Sequence, residues 1–160
     1  MLFVKILVLC TGNSCRSIIG EALFNHLGQG RVTAFSAGSK PTGSIHPKSL
    51  ELLQSKGIST SGLRSKSWDG FDNVQFNAVI TVCDNAAGET CPIFFGSPVK
   101  AHWGVPDPAH VTGTGTEIAA AFEAAYKTLE ARIKAFLHLP DNLPKDELAK
   151  HLRKIGESVR

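Results

Sequence analysis

Phe3-Val-Lys-Ile-Leu-Val-Leu9 is an apolar run broken only by Lys5, and the polar loop Cys10-Thr-Gly-Asn-Ser-Cys-Arg16 follows it directly. A run without polar alternation marks a strand covered on both faces, as in a parallel sheet. A parallel strand needs a crossover, and the pattern from Ser17 to Leu27 supplies a helix for it. A tight turn from strand to helix points successive backbone N–H groups at one spot beside the helix N-terminus. Such a spot holds a tetrahedral oxyanion.

The same alternation continues along the chain. Strands are predicted at Val4–Leu9, Val32–Ser36, Ala78–Val82 and Val99–Trp103. Helices are predicted at Ser17–Leu27, Pro47–Lys56, Thr116–Leu137 and Lys145–Ile155. The third carries an apolar stripe at Ile118, Phe122, Ala125, Leu129, Ile133 and Phe136. This order predicts an α/β fold: a three-layer, doubly wound, four-stranded parallel sheet flanked by helices. Ligands of such sheets sit outside the carboxyl ends of the strands, and Cys10, Cys83 and Asp107 each follow a predicted strand closely. The 160 residues fit one domain, with 140–160 as a C-terminal helical extension after Pro140. The glycines from Gly38 to Gly43 read as surface loop.

Composition narrows the classes of function. A net charge of +3, with Lys and Arg dispersed up to the last helix, speaks against nucleic acid and suits a small anionic substrate. Lys145, Lys150, Arg153 and Lys154 alternate with Asp146 and Glu147, as on a solvated helix face. No stretch approaches the ~20 apolar residues of a membrane span, and the N-terminal run is too short for a signal peptide. Four cysteines without an export signal predict a reducing, cytoplasmic setting, and a monomer is expected.

The loop residues divide the chemistry among them. A free thiol with pKa near ~8.5 is mostly protonated at neutral pH. At a helix N-terminus beside Arg16, Cys10 is expected to be largely thiolate. Arg16 offers a planar fork for two oxygens of the oxyanion. The backbone of Thr11, Gly12, Asn13, Ser14, Cys15 and Arg16 forms the cradle, with Gly12 easing the turn. Asn13 and Ser17 either bond the sulfur or hold the loop's shape. A buried strand-end cysteine is the plain alternative for Cys10, but the preceding strand, Gly12, Asn13 and the Arg16-Ser17 ending disfavour it.

Val8-Leu-Cys-Thr-Gly-Asn-Ser-Cys-Arg-Ser17 resembles the active-site loop shared by low-molecular-weight protein tyrosine phosphatases and the arsenate reductases built on that fold. Ser36-Ala-Gly38, His102-Trp-Gly104 and Asp107-Pro-Ala109 extend the resemblance. It implies Asp107 as the general acid. The phosphatases are expected to carry aromatic residues beside the acid, whereas Ala109-His110-Val111 stands here and the one tyrosine, Tyr126, lies in a helix. Cys83 and Cys91 point instead to thiol-regenerated arsenate reductases. That resemblance implies attack of Cys10 on arsenate, a Cys10–Cys83 disulfide, then a Cys83–Cys91 disulfide reset by an external thiol reductant, thioredoxin or glutaredoxin with glutathione. The implied role is arsenical resistance by detoxification.

Two departures stand out. Seven residues separate Cys83 from Cys91, where relatives often have six. Some relatives also hold a monovalent cation with residues matching Asn13, Glu21 and Ser36 plus an acidic residue, and Lys66 stands at the acidic position. Its ammonium is expected to replace the cation, and no metal or bound cofactor is expected. Cys15 reads as structural, as do His102 and His110 near the rim. A phosphatase hydrolysing phosphate monoesters is the competing function, and a thiol redox sensor a third.

Overall fold

The computed structural model describes residues 4–71, 73–83, 94 and 96–159. Four strands form a parallel sheet: β1 (Val4–Leu9), β2 (Val32–Ala37), β3 (Ala78–Thr81) and β4 (Val99–His102). Their order across the sheet is β2-β1-β3-β4. Around it lie α1 (Arg16–Gly28), α2 (Pro47–Ser55), α3 (Gly115–Leu137) and α4 (Lys145–Ser158). The predicted parallel sheet flanked by helices is therefore present. β1 has the expected bounds, the other three strands end one residue from expectation, and α4 runs three residues beyond Ile155.

Period-two alternation divides the core between the two faces. Ile6, Val8 and Cys10 of the first strand and loop join Ile80 and Val82 in the larger cluster, with Ile18, Leu23 and Phe24 of α1 and Leu129, Ile133 and Phe136 of α3. Leu7, Leu9, Ala37 and Val79 face the other way. Among the described residues that face is covered by an aromatic group, Phe35, Phe71, Phe76 and Phe94, linked by edge-to-face ring contacts. The single helical turn Trp68–Phe71 belongs to this cover. Strong burial on both faces of β1 explains why its sequence shows no alternation.

α1 is buried from Ser17 through Phe24, including its polar Glu21. A helix enclosed on most sides carries no clear polar face, so it reads less distinctly in sequence than α3. The α3 stripe is buried as predicted at Phe122, Ala125, Leu129, Ile133 and Phe136, while Ile118 is only half-buried. Tyr126 and Arg132 share its buried surface. Thr114 caps the helix by accepting from the Glu117 N–H at 3.1 Å. Among the described residues no helix is long and apolar enough to cross a membrane.

Register brings the reactive residues to one rim. Leu9 pairs with Ala37 on one side and Thr81 on the other, and Thr81 pairs with His102. Cys10, Gly38, Val82 and Trp103 therefore leave the sheet at the same level, with Cys83 one residue further.

Candidate active site

The loop from Thr11 to Cys15 is built by turning its carbonyls outward. Lys40 N–H donates to Thr11 O, Thr42 N–H to Gly12 O and His46 N–H to Ser14 O, at 3.0–3.1 Å. Ser65 Oγ also donates to Gly12 O and Ser49 Oγ to Ser14 O, both at 3.2 Å. In a trans peptide the C=O and the following N–H point in opposite directions. With those carbonyls held outward, the N–H groups of Gly12, Asn13 and Cys15 are turned to the inside of the loop. Helix α1 begins there with Cys15 as N-cap and no side-chain cap bond, so its first amides face the same space.

The left-handed residue of the loop is Asn13, with φ 47°, and not Gly12. Asn13 is fully buried: its Nδ2 donates to Ser17 Oγ at 2.8 Å and its Oδ1 accepts from Lys66 N–H at 2.9 Å. Of the two roles open to Asn13, holding the loop's shape is the one these bonds serve. Gly38 is no surface-loop residue. It is buried against the loop, and a Cβ there would fall 2.3 Å from Thr11 O and 2.6 Å from Cys10 O. Only glycine admits that approach.

Cys10 lies at the base of the cradle and is buried, as is Cys83. The two sulfurs share a hydrogen bond. Cys83 Sγ also accepts from Thr11 N–H at 3.4 Å and lies 3.7 Å from Thr11 Oγ1. The Cys10 thiol is pushed up from its ordinary value, first by Cys83 and then by burial, while Arg16 and the Gly12 N–H pull it down. Two thiols in one hydrogen bond ionise in succession, and the first thiolate makes the second proton harder to remove. In this arrangement Cys83 and burial oppose the pull of Arg16 and the Gly12 N–H toward the Cys10 thiolate.

Arg16 spans the cavity wall. Its Nη1 donates to Val105 O at 2.9 Å and its Nη2 meets Asp107 Oδ2 at 3.2 Å, while its buried Nε has no partner among the described residues. Asp107 Oδ1 accepts from Ala109 N–H at 2.9 Å, which starts the turn Pro108–His110. His110 is exposed, its Nε2 3.4 Å from Asp107 Oδ2. The cavity is lined by Cys10 through Arg16, Cys83, Asp107 and, at the mouth, Thr42, Pro106, Ala109 and His110. Among the described residues no phenyl, phenol or indole ring lines the cavity.

The remaining predicted residues fall as follows. Ser17 is buried behind Asn13. Cys15 is buried in the core, its thiol pushed up by burial against hydrogen bonds from Ser49 and Ser14. His102 Nδ1 lies 2.8 Å from Thr81 Oγ1, a pairing at the strand ends. Cys91 lies outside the described residues, so the structure does not bear on it.

Behind the loop, Glu21 Oε1 accepts from Ser36 Oγ at 2.5 Å and meets Lys66 Nζ at 3.5 Å. Burial pushes the Lys66 ammonium down, against the attraction of Glu21. A monovalent cation does not fit this donor set. Asn13 Oδ1 is taken by an amide, Ser36 donates to the carboxylate, and the ammonium stands where a cation would be neutralised. Among the described residues no cluster of three or more His, Cys, Asp or Glu could hold a metal ion.

Ser49, Ser65, Gly38 and the Val105 carbonyl were not singled out by sequence reasoning as loop supports. Ser36-Ala-Gly38 was the one available signal, through the resemblance it extends.

A cysteine at the base of an amide ring, flanked by an arginine and a carboxylic acid on a parallel α/β rim, defines a thiol-bearing oxyanion site. The family model for low molecular weight phosphotyrosine protein phosphatase matches residues 5–154. The chain belongs to that family. An arsenate reductase of Shouchella clausii is 35% identical over 130 residues, covering 80% of this chain and 91% of its own. A solved thioredoxin-dependent arsenate reductase of Corynebacterium glutamicum aligns with TM-score 0.60 and 28% identity, over 83% of this chain and 63% of that one. A solved arsenate reductase in a phosphate-binding state has TM-score 0.66 at 23% identity, over 82% and 98% of the two chains, a likeness of fold.

Proposed function

We propose that this chain reduces arsenate to arsenite with its own thiols as the electron source. The observation that carries the reading is the placement of Cys83 beside Cys10 at the base of the cradle, its sulfur accepting from the Thr11 N–H at 3.4 Å. Hydrolysis of a thiol-bound oxyanion needs water at the adduct, not a second thiol. The relatives named arsenate reductase support the same choice.

The steps follow from the groups present. Arsenate, a tetrahedral oxyanion, displaces Asp107 from Arg16 and takes the inward amides. Cys10 thiolate attacks arsenic, and the departing oxygen takes a proton from Asp107 and leaves as water. Cys83 thiolate then attacks the Cys10 sulfur. The S–As bond breaks with its electron pair going to arsenic, which falls from As(V) to As(III) and leaves as arsenite. A Cys10–Cys83 disulfide remains. Attack by Cys91 on Cys83 releases Cys10 and gives Cys83–Cys91, which an external dithiol, thioredoxin or glutaredoxin with glutathione, reduces.

In this reading residues 1–160 act as one domain and a monomer in the cytoplasm, and Lys66 replaces a cation beside Glu21. The discriminating experiment compares two activities of the same preparation. Arsenate-dependent oxidation of a dithiol should require Cys10, Cys83 and Cys91. Hydrolysis of an aryl phosphate would require only Cys10, Arg16 and Asp107. Full arsenate turnover by Cys83→Ser would refute the relay.

A further inference from the structure

Arg132 interrupts the apolar stripe of α3 and is only 2% exposed. A buried guanidinium is costly unless its donors are bonded. Its Nε donates to Val159 O at 2.8 Å and its Nη1 to Gly104 O at 3.0 Å. Both acceptors are backbone carbonyls just past the end of an element, α4 in one case and β4 in the other.

Gly104 is the first link toward the acid. Its neighbour Val105 donates its N–H to Val82 O at 3.0 Å, next to Cys83, and its carbonyl accepts from Arg16 Nη1 at 2.9 Å. Pro106 and Asp107 follow. Two consecutive carbonyls of one short segment are thus held by two arginines, Gly104 O by Arg132 from the core and Val105 O by Arg16 from the cavity. The orientation of the Arg16 fork depends on where the Val105 carbonyl stands, and that carbonyl follows its neighbour.

The C-terminal helix anchors the other end. Trp103 Nε1 donates to Leu152 O at 2.9 Å. α4 approaches β4 so closely that a Cβ on Gly156 would fall 2.5 Å from His102 O. Lys145 Nζ bonds Gly96 O and Ser97 O at 3.0 Å, at the other end of β4. α4 is therefore strapped along the strand that delivers the acid loop, with Arg132 as the tie at its end.

We propose that Arg132 is a positioning residue of the anion site: it fixes the Gly104–Val105 peptide, and through it the Arg16 guanidinium, against the C-terminal helix. The proposal rests on the oxyanion-site reading above. It does not require arsenate turnover.

The test uses the full chain with Arg132→Met, which keeps the apolar stem and removes both bonds. Arg132→Lys is the milder variant, able to keep one carbonyl. Inorganic phosphate binding is read as protection of Cys10 from iodoacetamide, and KM and kcat for arsenate are read beside it. Arg132→Met should weaken phosphate protection by about tenfold and raise KM in parallel, a displaced fork being felt mainly in anion binding. Arg132→Lys should fall between that variant and the unaltered protein. Unchanged phosphate affinity in either folded variant, with only a lowered melting temperature, would overturn the proposal. If Arg132→Met does not fold, Arg132→Lys decides by the same readout. Should phosphate protect the unaltered protein while arsenate is not reduced, the function falls and the positioning role is still judged on protection alone.

Discussion

Arg16 Nη2 stands 3.2 Å from Asp107 Oδ2, so the cation proposed to receive the substrate is already paired with the proposed general acid. An incoming oxyanion exchanges one negative partner of Arg16 for another and releases the carboxyl for proton transfer. Asp107→Ala should therefore leave phosphate and arsenate affinity unchanged or tighter while lowering kcat by about 10²–10⁴, the usual worth of a general acid. Steady-state kinetics with a phosphate inhibition series separates the two effects. A raised KM with unaltered kcat would show that Asp107 serves binding.

The Cys10–Cys83 hydrogen bond holds the Cys10 thiol above its ordinary value. Removing the partner by Cys83→Ala leaves Arg16 and the Gly12 N–H to act on the sulfur, so the thiol should ionise at lower pH. The rate of Cys10 alkylation by iodoacetamide, followed against pH, should show its midpoint shifted downward in Cys83→Ala. A midpoint that stays or rises would mean that Cys83 does not restrain the nucleophile.

Gly38→Ala forces a methyl carbon toward Thr11 O and Cys10 O, at 2.3 and 2.6 Å before relaxation. Backbone atoms cannot step aside cheaply, so a loss of about 1–3 kcal/mol is expected, as for overpacking elsewhere. Because the shift falls on the loop itself, phosphate protection of Cys10 should weaken as well. Denaturant melts and the protection assay, taken together, check both parts.

Lys66 Nζ stands 3.5 Å from the buried Glu21 carboxylate. Arsenate turnover should therefore be indifferent to added potassium in the unaltered chain. Lys66→Asp removes the internal cation and adds a second carboxylate, which should make activity rise with potassium. Equal responses of the two proteins would show that Lys66 does not substitute for a cation.

The strands and helices were legible because each has a local signature. β1 is an unbroken apolar run, α2 opens on Pro47, and α3 carries a stripe closed by Pro140. The loop was legible because Cys10, Arg16 and Ser17 are close in sequence. Its supports were not, since Ser49, Ser65 and Gly38 reach it from separate segments and act through backbone carbonyls, which leave no residue-type signature. Gly12 is expected to ease the turn, yet the left-handed position falls on Asn13, whose side chain is bonded at both ends. Arg132 was hidden for a related reason: a charge within an apolar stripe reads as an edge of the stripe until its two carbonyl partners are seen. The restraint on Cys10 was not legible because Cys83, which acts on the same sulfur, lies 73 positions away in sequence.

The most direct test of the relay omits the external reductant. Fully reduced protein is mixed with excess arsenate, and arsenite, free thiols and the disulfide-linked peptides are measured after one turnover. The relay predicts one arsenite per chain, two thiols lost, and a disulfide joining Cys83 to Cys91. No arsenite and four thiols intact, in protein that still hydrolyses an aryl phosphate, would contradict it.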